Sequence, residues 1–259
     1  MKNLFDVSGK IALVTGGSRG IGEMIAEGYV ANGVKTYISA RKAGACNATA
    51  DRLSTQGECI SIPADLSTPK GIQTLADEIK SREGQLDILV NNAGATWGAP
   101  IEDFPEAGWD KVMDINVKGP FFLTQALLSL LEASGSDEDP ARIINIGSID
   151  GLNVNHLPTF SYGPSKAAVH HLTRTLATHL ADRKITANAI APGPFPSKMT
   201  AGIAKTMGDR IRDGVPLKRW GEPADMAGAA IYLASRAGAY VSGVVIPVDG
   251  GIVASAWTL

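Results

Sequence analysis

Short apolar runs alternate along this chain with longer stretches in which apolar residues recur every three or four positions. The first run, Lys10-Ile11-Ala12-Leu13-Val14, predicts a buried strand that stops at a glycine-rich turn. From 21 to 30, Ile21, Met24, Ile25 and Tyr29 fall on one face of a helix. Further strands are expected at 35–39, 59–64, 86–90, 142–146, 185–190 and 244–248. Helices are expected at 43–53, around Ile72, Leu75, Ala76 and Ile79, and at 109–131, 162–180 and 223–233. The last of these opens on Pro223, a residue suited to a first helical turn. Asn91-Asn92-Ala93-Gly94 stops the fourth strand, and 135–140 reads as a polar loop.

Strands that are apolar on both faces and alternate with helices predict an α/β fold, a parallel sheet covered on both sides. No repeat or linker divides the 259 residues, so one domain spans 1–259. The least regular stretch, 192–221, is rich in Gly and Pro and is expected to be a substrate loop or lid.

Composition narrows the functional classes. A net charge of -2 gives no electrostatic reason to expect nucleic acid or an anionic membrane as partner. No apolar run approaches the roughly 20 residues of a membrane span, and from the polar stretch 1–10 no hydrophobic leader is expected. Two cysteines, Cys46 and Cys59, do not make a disulfide framework. They are expected to be small core residues in a protein of the reducing cytoplasm. His156, His170, His171 and His179 have no companion ligands at metal-like spacing, so no metal is expected.

The chemistry lies in the turns. Thr15-Gly16-Gly17-Ser18-Arg19-Gly20-Ile21-Gly22 follows the first strand and opens the first helix. Glycines there let backbone approach a pyrophosphate, and the helix N-terminus offers free N–H groups to it. At the end of the second strand, Ser39-Ala40-Arg41-Lys42 has no acid to take a ribose 2′-hydroxyl. Arg41, with Arg19 opposite, is instead suited to a 2′-phosphate, so NADP is expected over NAD. Ser148 follows the fifth strand, and Tyr162 and Lys166 stand one turn apart on the next helix. Ligands of open α/β sheets bind beyond the carboxyl ends of strands, so these three can share a cleft. Reducing a ketone needs a proton for the oxygen. Tyr162 could supply it, with Lys166 and an oxidised nicotinamide lowering its pKa and Ser148 donating to the substrate oxygen.

These motifs, together with Asp65-Leu66, Asn116, Pro192-Gly193 and Val248-Asp249-Gly250-Gly251, resemble the short-chain dehydrogenase/reductase family over essentially the whole chain. The resemblance implies a single-domain, doubly wound Rossmann fold with seven parallel strands and helices on both faces. It implies that Tyr162 is the acid/base, Ser148 the substrate-oxygen donor and Lys166 a ribose ligand. Asn116 would hold a water that links Lys166 to solvent. Cofactor contacts would come from Gly16, Ser18, Arg19, Gly20, Ile21, Gly22, Ser39 and Arg41, and from Asp65 and Leu66 at the adenine. Asn92, Ala93 and Gly94 would pass beside the ribose. Pro192, Gly193, Pro194 and Phe195 would line the nicotinamide, whose carboxamide Ser197 would hold. Ser197 stands where the family has threonine, and the 14-residue interval from Ser148 to Tyr162 is one longer than expected.

Within the family the chain is similar to bacterial NADPH-dependent 3-oxoacyl reductases of the kind associated with rhamnolipid biosynthesis. Arg41, Thr96-Trp97-Gly98 and residues 192–199 carry that likeness. A 3-oxoacyl thioester is therefore the leading substrate. A sugar or polyol dehydrogenase and a catalytically idle NADP-sensing protein stay open. Trp97, Phe160, Phe195, Met199 and Trp220 are candidates for an apolar pocket. A homodimer or homotetramer through the two long helices is implied by the resemblance.

Overall fold

The computed structural model describes residues 3–198 and 200–255. Seven parallel strands form one sheet in the order β3-β2-β1-β4-β5-β6-β7. They are β1 (Ile11–Thr15), β2 (Lys35–Ser39), β3 (Cys59–Ser61), β4 (Ile88–Asn91), β5 (Ala141–Ile146), β6 (Ile185–Pro192) and β7 (Val245–Val248). The helices are α1 (Gly20–Ala31), α2 (Ala43–Leu53), α3 (Pro69–Arg82), α4 (Glu106–Met113), α5 (Gly119–Ser134), α6 (Tyr162–Leu180), α7 (Ala201–Gly214) and α8 (Pro223–Ala234). The doubly wound Rossmann fold expected from the sequence is the fold observed.

Successive residues of β1 explain why two layers of helices are needed. Ala12 and Val14 point into a core shared with Ile25 and Tyr29 of α1, Leu53 of α2 and Met226 and Leu233 of α8. Leu13 points the other way, into a core with Leu75 and Ile79 of α3, Leu127 of α5 and Leu176 of α6. A strand with apolar groups on both faces stays in water unless both faces are covered. Cys46 and Cys59 lie in the first core as free thiols.

Local chemistry sets helix starts. Thr68 Oγ1 accepts the Gly71 N–H at 3.1 Å, and Pro69 occupies the first turn of α3. Asp225 accepts the Glu222 N–H at 2.8 Å at the start of α8, and Arg219 holds the same carboxylate.

Two expectations change. The helix expected over 109–131 is interrupted by a wide π turn, Asp114–Lys118, between α4 and α5. Such turns often mark functional positions, and this one contains Asn116. The segment 192–221 is not irregular throughout, because it contains α7. Trp220 Nε1 donates to the Gly208 carbonyl at 3.4 Å, a tertiary contact that hydrophobic spacing does not reveal.

Candidate active site

The strand order reverses between β1 and β4, which pair in parallel although they are far apart in sequence. Their ends are bolted together by one hydroxyl. Thr15 Oγ1 donates to the Val90 carbonyl at 3.1 Å and accepts the N–H groups of Asn92 and Ala93 at 2.9 and 3.0 Å. Asn92 Nδ2 returns a bond to the Thr15 carbonyl at 2.8 Å. The glycine turn and the Asn92–Gly94 turn therefore form two walls of one crevice, where open α/β sheets bind ligands.

Glycine is required where these walls meet. Gly16 has φ +66°, and a Cβ on Gly22 would lie 2.4 Å from the Gly16 carbonyl oxygen. Gly22 does not line the crevice; it lets α1 press against the turn. Arg19, the residue before α1, makes no side-chain cap, so the first N–H groups of α1 are left for a ligand.

A cleft of about 690 Å³ runs from this turn along the carboxyl ends of the strands. At one end it is lined by Ser18, Arg19, Gly20, Ile21, Ser39, Arg41, Asp65 and Leu66. Among the described residues no carboxylate pairs with Arg19, Arg41 or the neighbouring Lys42, and the buried Ser39 hydroxyl has no partner. Asp65 is turned into its own loop, accepting the Ser67 N–H and hydroxyl at 3.1 and 2.7 Å. Three unpaired cations, uncapped helix N–H groups and an orphaned hydroxyl suit an adenosine with a 2′-phosphate and the pyrophosphate of NADP.

The middle of the cleft brings together Gly94, Ser148, Tyr162, Lys166 and Pro192 to Phe195, with Ser197 beside them. Buried amides hold α6 in place. Asn91 Nδ2 donates to Asn145 Oδ1 at 2.9 Å, and Asn145 Nδ2 donates to Thr173 Oγ1 at 2.9 Å. Below Ser148, the His170 ring fills the space under Gly147, where a Cβ would sit 2.0 Å from Nε2. Asn145 and Thr173 were not singled out from the sequence, and His170 was weighed there only as a metal ligand. Their signal was only that of polar residues at core positions.

Asn116 is 2% exposed and stands behind the cleft rather than in it. Its Oδ1 accepts the Ala95 N–H at 2.8 Å. Its Nδ2 donates to the Ala95 carbonyl at 3.0 Å and to Ser165 Oγ at 2.9 Å. Ser165 in turn donates to the Tyr162 carbonyl at 2.6 Å. Both amide hydrogens are thus spent on protein, and the side chain supports the first turn of α6.

Burial governs the electrostatics of the protein without cofactor. Lys166 Nζ donates to the Ile146 carbonyl at 2.8 Å and lies 5.6 Å from the centre of the Tyr162 ring. Burial pulls the lysine down to about 8. Burial, with the charge of Asp150, pushes the Tyr162 phenol up to about 12, against the neighbouring Ser148 hydroxyl.

The far end of the cleft is made of loops together with α4 and α7. Asp150, Asn155, Leu157, Thr159, Lys111, Ile211 and Trp220 line it. Of the apolar candidates, Phe195 and Trp220 reach the cleft. Trp97 packs over Gly108 and under Lys111, and Phe160 stacks edge-on against Phe104. Met199 lies outside the described residues. Ser197 lines the cleft, but its hydroxyl is 3.0 Å from Thr200 Oγ1 in a local turn. Asp150 was missed, although an acid two residues past Ser148 is a readable signal.

A doubly wound sheet with a glycine turn at its switch point and Ser, Tyr and Lys at the strand ends defines a nicotinamide-dependent oxidoreductase. A family model described as enoyl-(acyl carrier protein) reductase matches residues 16–253, and the chain belongs to this family, the short-chain dehydrogenases/reductases. It is 51% identical over 97% of its length to the rhamnolipids biosynthesis 3-oxoacyl-[acyl-carrier-protein] reductase of Pseudomonas aeruginosa, covering 99% of that protein. It is 33% identical to a gluconate 5-dehydrogenase of Gluconobacter oxydans, covering 98% of each chain. The solved Pseudomonas aeruginosa RhlG/NADP active-site complex superposes with a TM-score of 0.94 at 50% identity, over 98% of this chain and 100% of that one. No helix among the described residues is long and apolar enough to cross a membrane.

Proposed function

We propose that the chain is an NADPH-dependent reductase that converts 3-oxoacyl thioesters to 3-hydroxyacyl thioesters. The observation that carries this reading is the 51% identity, over nearly the whole of both chains, to a protein named for that activity. NADPH, when bound, supplies the hydride that reaches the carbonyl carbon. Arg19 and Arg41 hold its 2′-phosphate, the first turn of α1 its pyrophosphate, and Pro192 to Phe195 with Ser197 its nicotinamide end.

Tyr162 delivers the proton to the carbonyl oxygen. With its phenol pushed up to about 12, it is protonated at neutral pH and ready as an acid. The Ser148 hydroxyl donates a hydrogen bond to the same oxygen as charge develops there. Lys166, lowered to about 8, keeps its proton at neutral pH and donates to the ribose. Asn116 acts as a positioning residue, through Ser165 and the Tyr162 carbonyl.

The likeness to a gluconate 5-dehydrogenase supports a second reading, oxidation of a sugar acid on the same catalytic groups. The assay is loss of NADPH absorbance with acetoacetyl-CoA, with NADH in parallel and 5-ketogluconate as contrast. NADPH-selective turnover of the thioester is expected. Turnover of the sugar acid alone would transfer the assignment to the second reading.

The protein is also proposed to work in the cytoplasm as a homo-oligomer. Trp109, Phe121 and Phe122 are exposed apolar residues on α4 and α5, which occupy the first of the two long helical stretches, 109–131 and 162–180, through which copies would pair. Light scattering after size exclusion should give a mass of two or four chains, and a monomer would refute the assembly.

A further inference from the structure

Asp150 is an acid beside the catalytic groups, and its charge adds to the burial that raises the Tyr162 phenol. It lies two residues past Ser148, in the short turn Ile149–Gly151, and its N–H donates to Ser148 Oγ at 3.1 Å. Its carbonyl faces Gly163 of α6, where a Cβ would approach within 3.2 Å, so the turn is seated against the first turn of the helix that carries Tyr162. The residue lines the substrate half of the cleft. Among the described residues no cation pairs with its carboxyl.

Two further cations line the same cleft, Lys198 and Lys111, and the Lys111 ammonium lies over the Trp97 ring, 4.9 Å from its centre. Asn155, from the loop that follows Asp150, donates a hydrogen bond to its carboxyl. Lys166 of α6 acts on it only through space, since its ammonium is held by Ile146. Tyr162 is uncharged at neutral pH. A half-buried carboxylate with no counter-ion therefore looks into the space where the substrate's carbonyl must sit.

Such a charge discriminates by repulsion. A carboxylate on the substrate, two carbons from the reacting carbonyl in a 3-oxo acid and four in 5-ketogluconate, would come near Asp150, in a cleft that screens poorly. A thioester at the same place carries no charge. We propose that Asp150 is a specificity-determining residue that excludes free 3-oxo acids and keto sugar acids and so admits the 3-oxoacyl group only as its thioester. The proposal rests on the acyl-reductase reading for its preferred substrate, but the exclusion of carboxylates stands apart from it. Burial holds the carboxyl above its usual range, so the repulsion should fade earlier in acid than it would for an exposed aspartate.

The test is Asp150→Asn, which keeps the shape and removes the charge. Steady-state kinetics are compared for the neutral N-acetylcysteamine thioester of acetoacetate and for acetoacetate itself. Removing the charge should raise kcat/KM for acetoacetate relative to that for the thioester tenfold or more, mostly through KM; the loss of the Asp150 charge beside Tyr162 acts on both substrates alike and drops out of that ratio. Parallel changes on both substrates, or no gain for the acid relative to the thioester, would overturn the proposal. The wild-type enzyme gives an independent readout: its preference for the thioester should narrow as pH falls from 7 to 5, and a preference that does not move with pH also counts against the assignment. If Asp150→Asn does not fold, Asp150→Ser replaces it. If wild type turns over no thioester, the acyl-reductase reading has failed. The charge comparison is then made between a neutral ketose and 5-ketogluconate, with the same gain expected for the acid.

Discussion

The two ends of the cleft are built in different ways. The adenosine end is made of strand ends and the first turn of α1, locked by Thr15 and Asn92 and lined by cations without partners. The substrate end is made of the segment after Ser148, of α7 and of Trp220, with apolar side chains left in solvent, among them Val154 at 90% exposure. One end is formed by the sheet itself and suits a ligand of fixed shape. The other is carried on connections whose residues can change without disturbing the sheet. Ser148, Tyr162 and Lys166 sit at the border, on elements as rigid as those that hold the cofactor end.

The largest effect should come at that border. Tyr162→Phe removes the proton donor and should lower kcat/KM by about 10³-fold or more. Cofactor affinity should change only a few-fold by fluorescence titration. Activity that survives the substitution would show that the proton comes from elsewhere. Ser148→Ala should cost about 10²-fold in kcat, the loss typical of one donor to a developing oxyanion, with KM little changed. A loss confined to KM would make Ser148 a binding group only.

Next is the support under Ser148. Burial pulls His170 down to about 4, below the 6.5 of the free side chain. The unfolded chain therefore binds the proton first, and stability that is complete above pH 6.5 drains away as pH falls toward 4. The stability lost should be about 2–3 kcal/mol by urea unfolding, and His170→Asn should flatten that slope. An unchanged slope would move the acid sensitivity to other groups.

The smallest effect is expected at the adenosine end. Arg41→Asp should weaken NADPH about 30-fold and NADH less than threefold, because only NADPH carries the phosphate that the new acid repels. Equal losses for both would deny Arg41 its place at the 2′-phosphate and blur the distinction between the two ends.

Much of this was legible because it depends on local spacing. The strand–turn–helix with Gly16, Gly20 and Gly22, the arginine after the second strand, and tyrosine and lysine one turn apart are each determined by a few consecutive residues. The seven-stranded architecture followed from runs apolar on both faces, which only a doubly covered sheet can bury. What stayed hidden depends on contacts between distant segments. The π turn carries Asn116, whose amide is bound by Ala95 and Ser165 from other segments of the chain. Helix α7 is pinned by Trp220, and Asp150 is left without a counter-ion because Lys166 is held by Ile146. The order of apolar and polar residues determined the sheet, the glycine turn after β1 and the placing of Ser148, Tyr162 and Lys166, since hydrophobic periodicity and glycine turns act within a few residues of chain. The supporting role of Asn116, the protonation of Tyr162 and the shape of the substrate end were decided by the tertiary structure, since burial and hydrogen-bond partners are set by what lies across the fold.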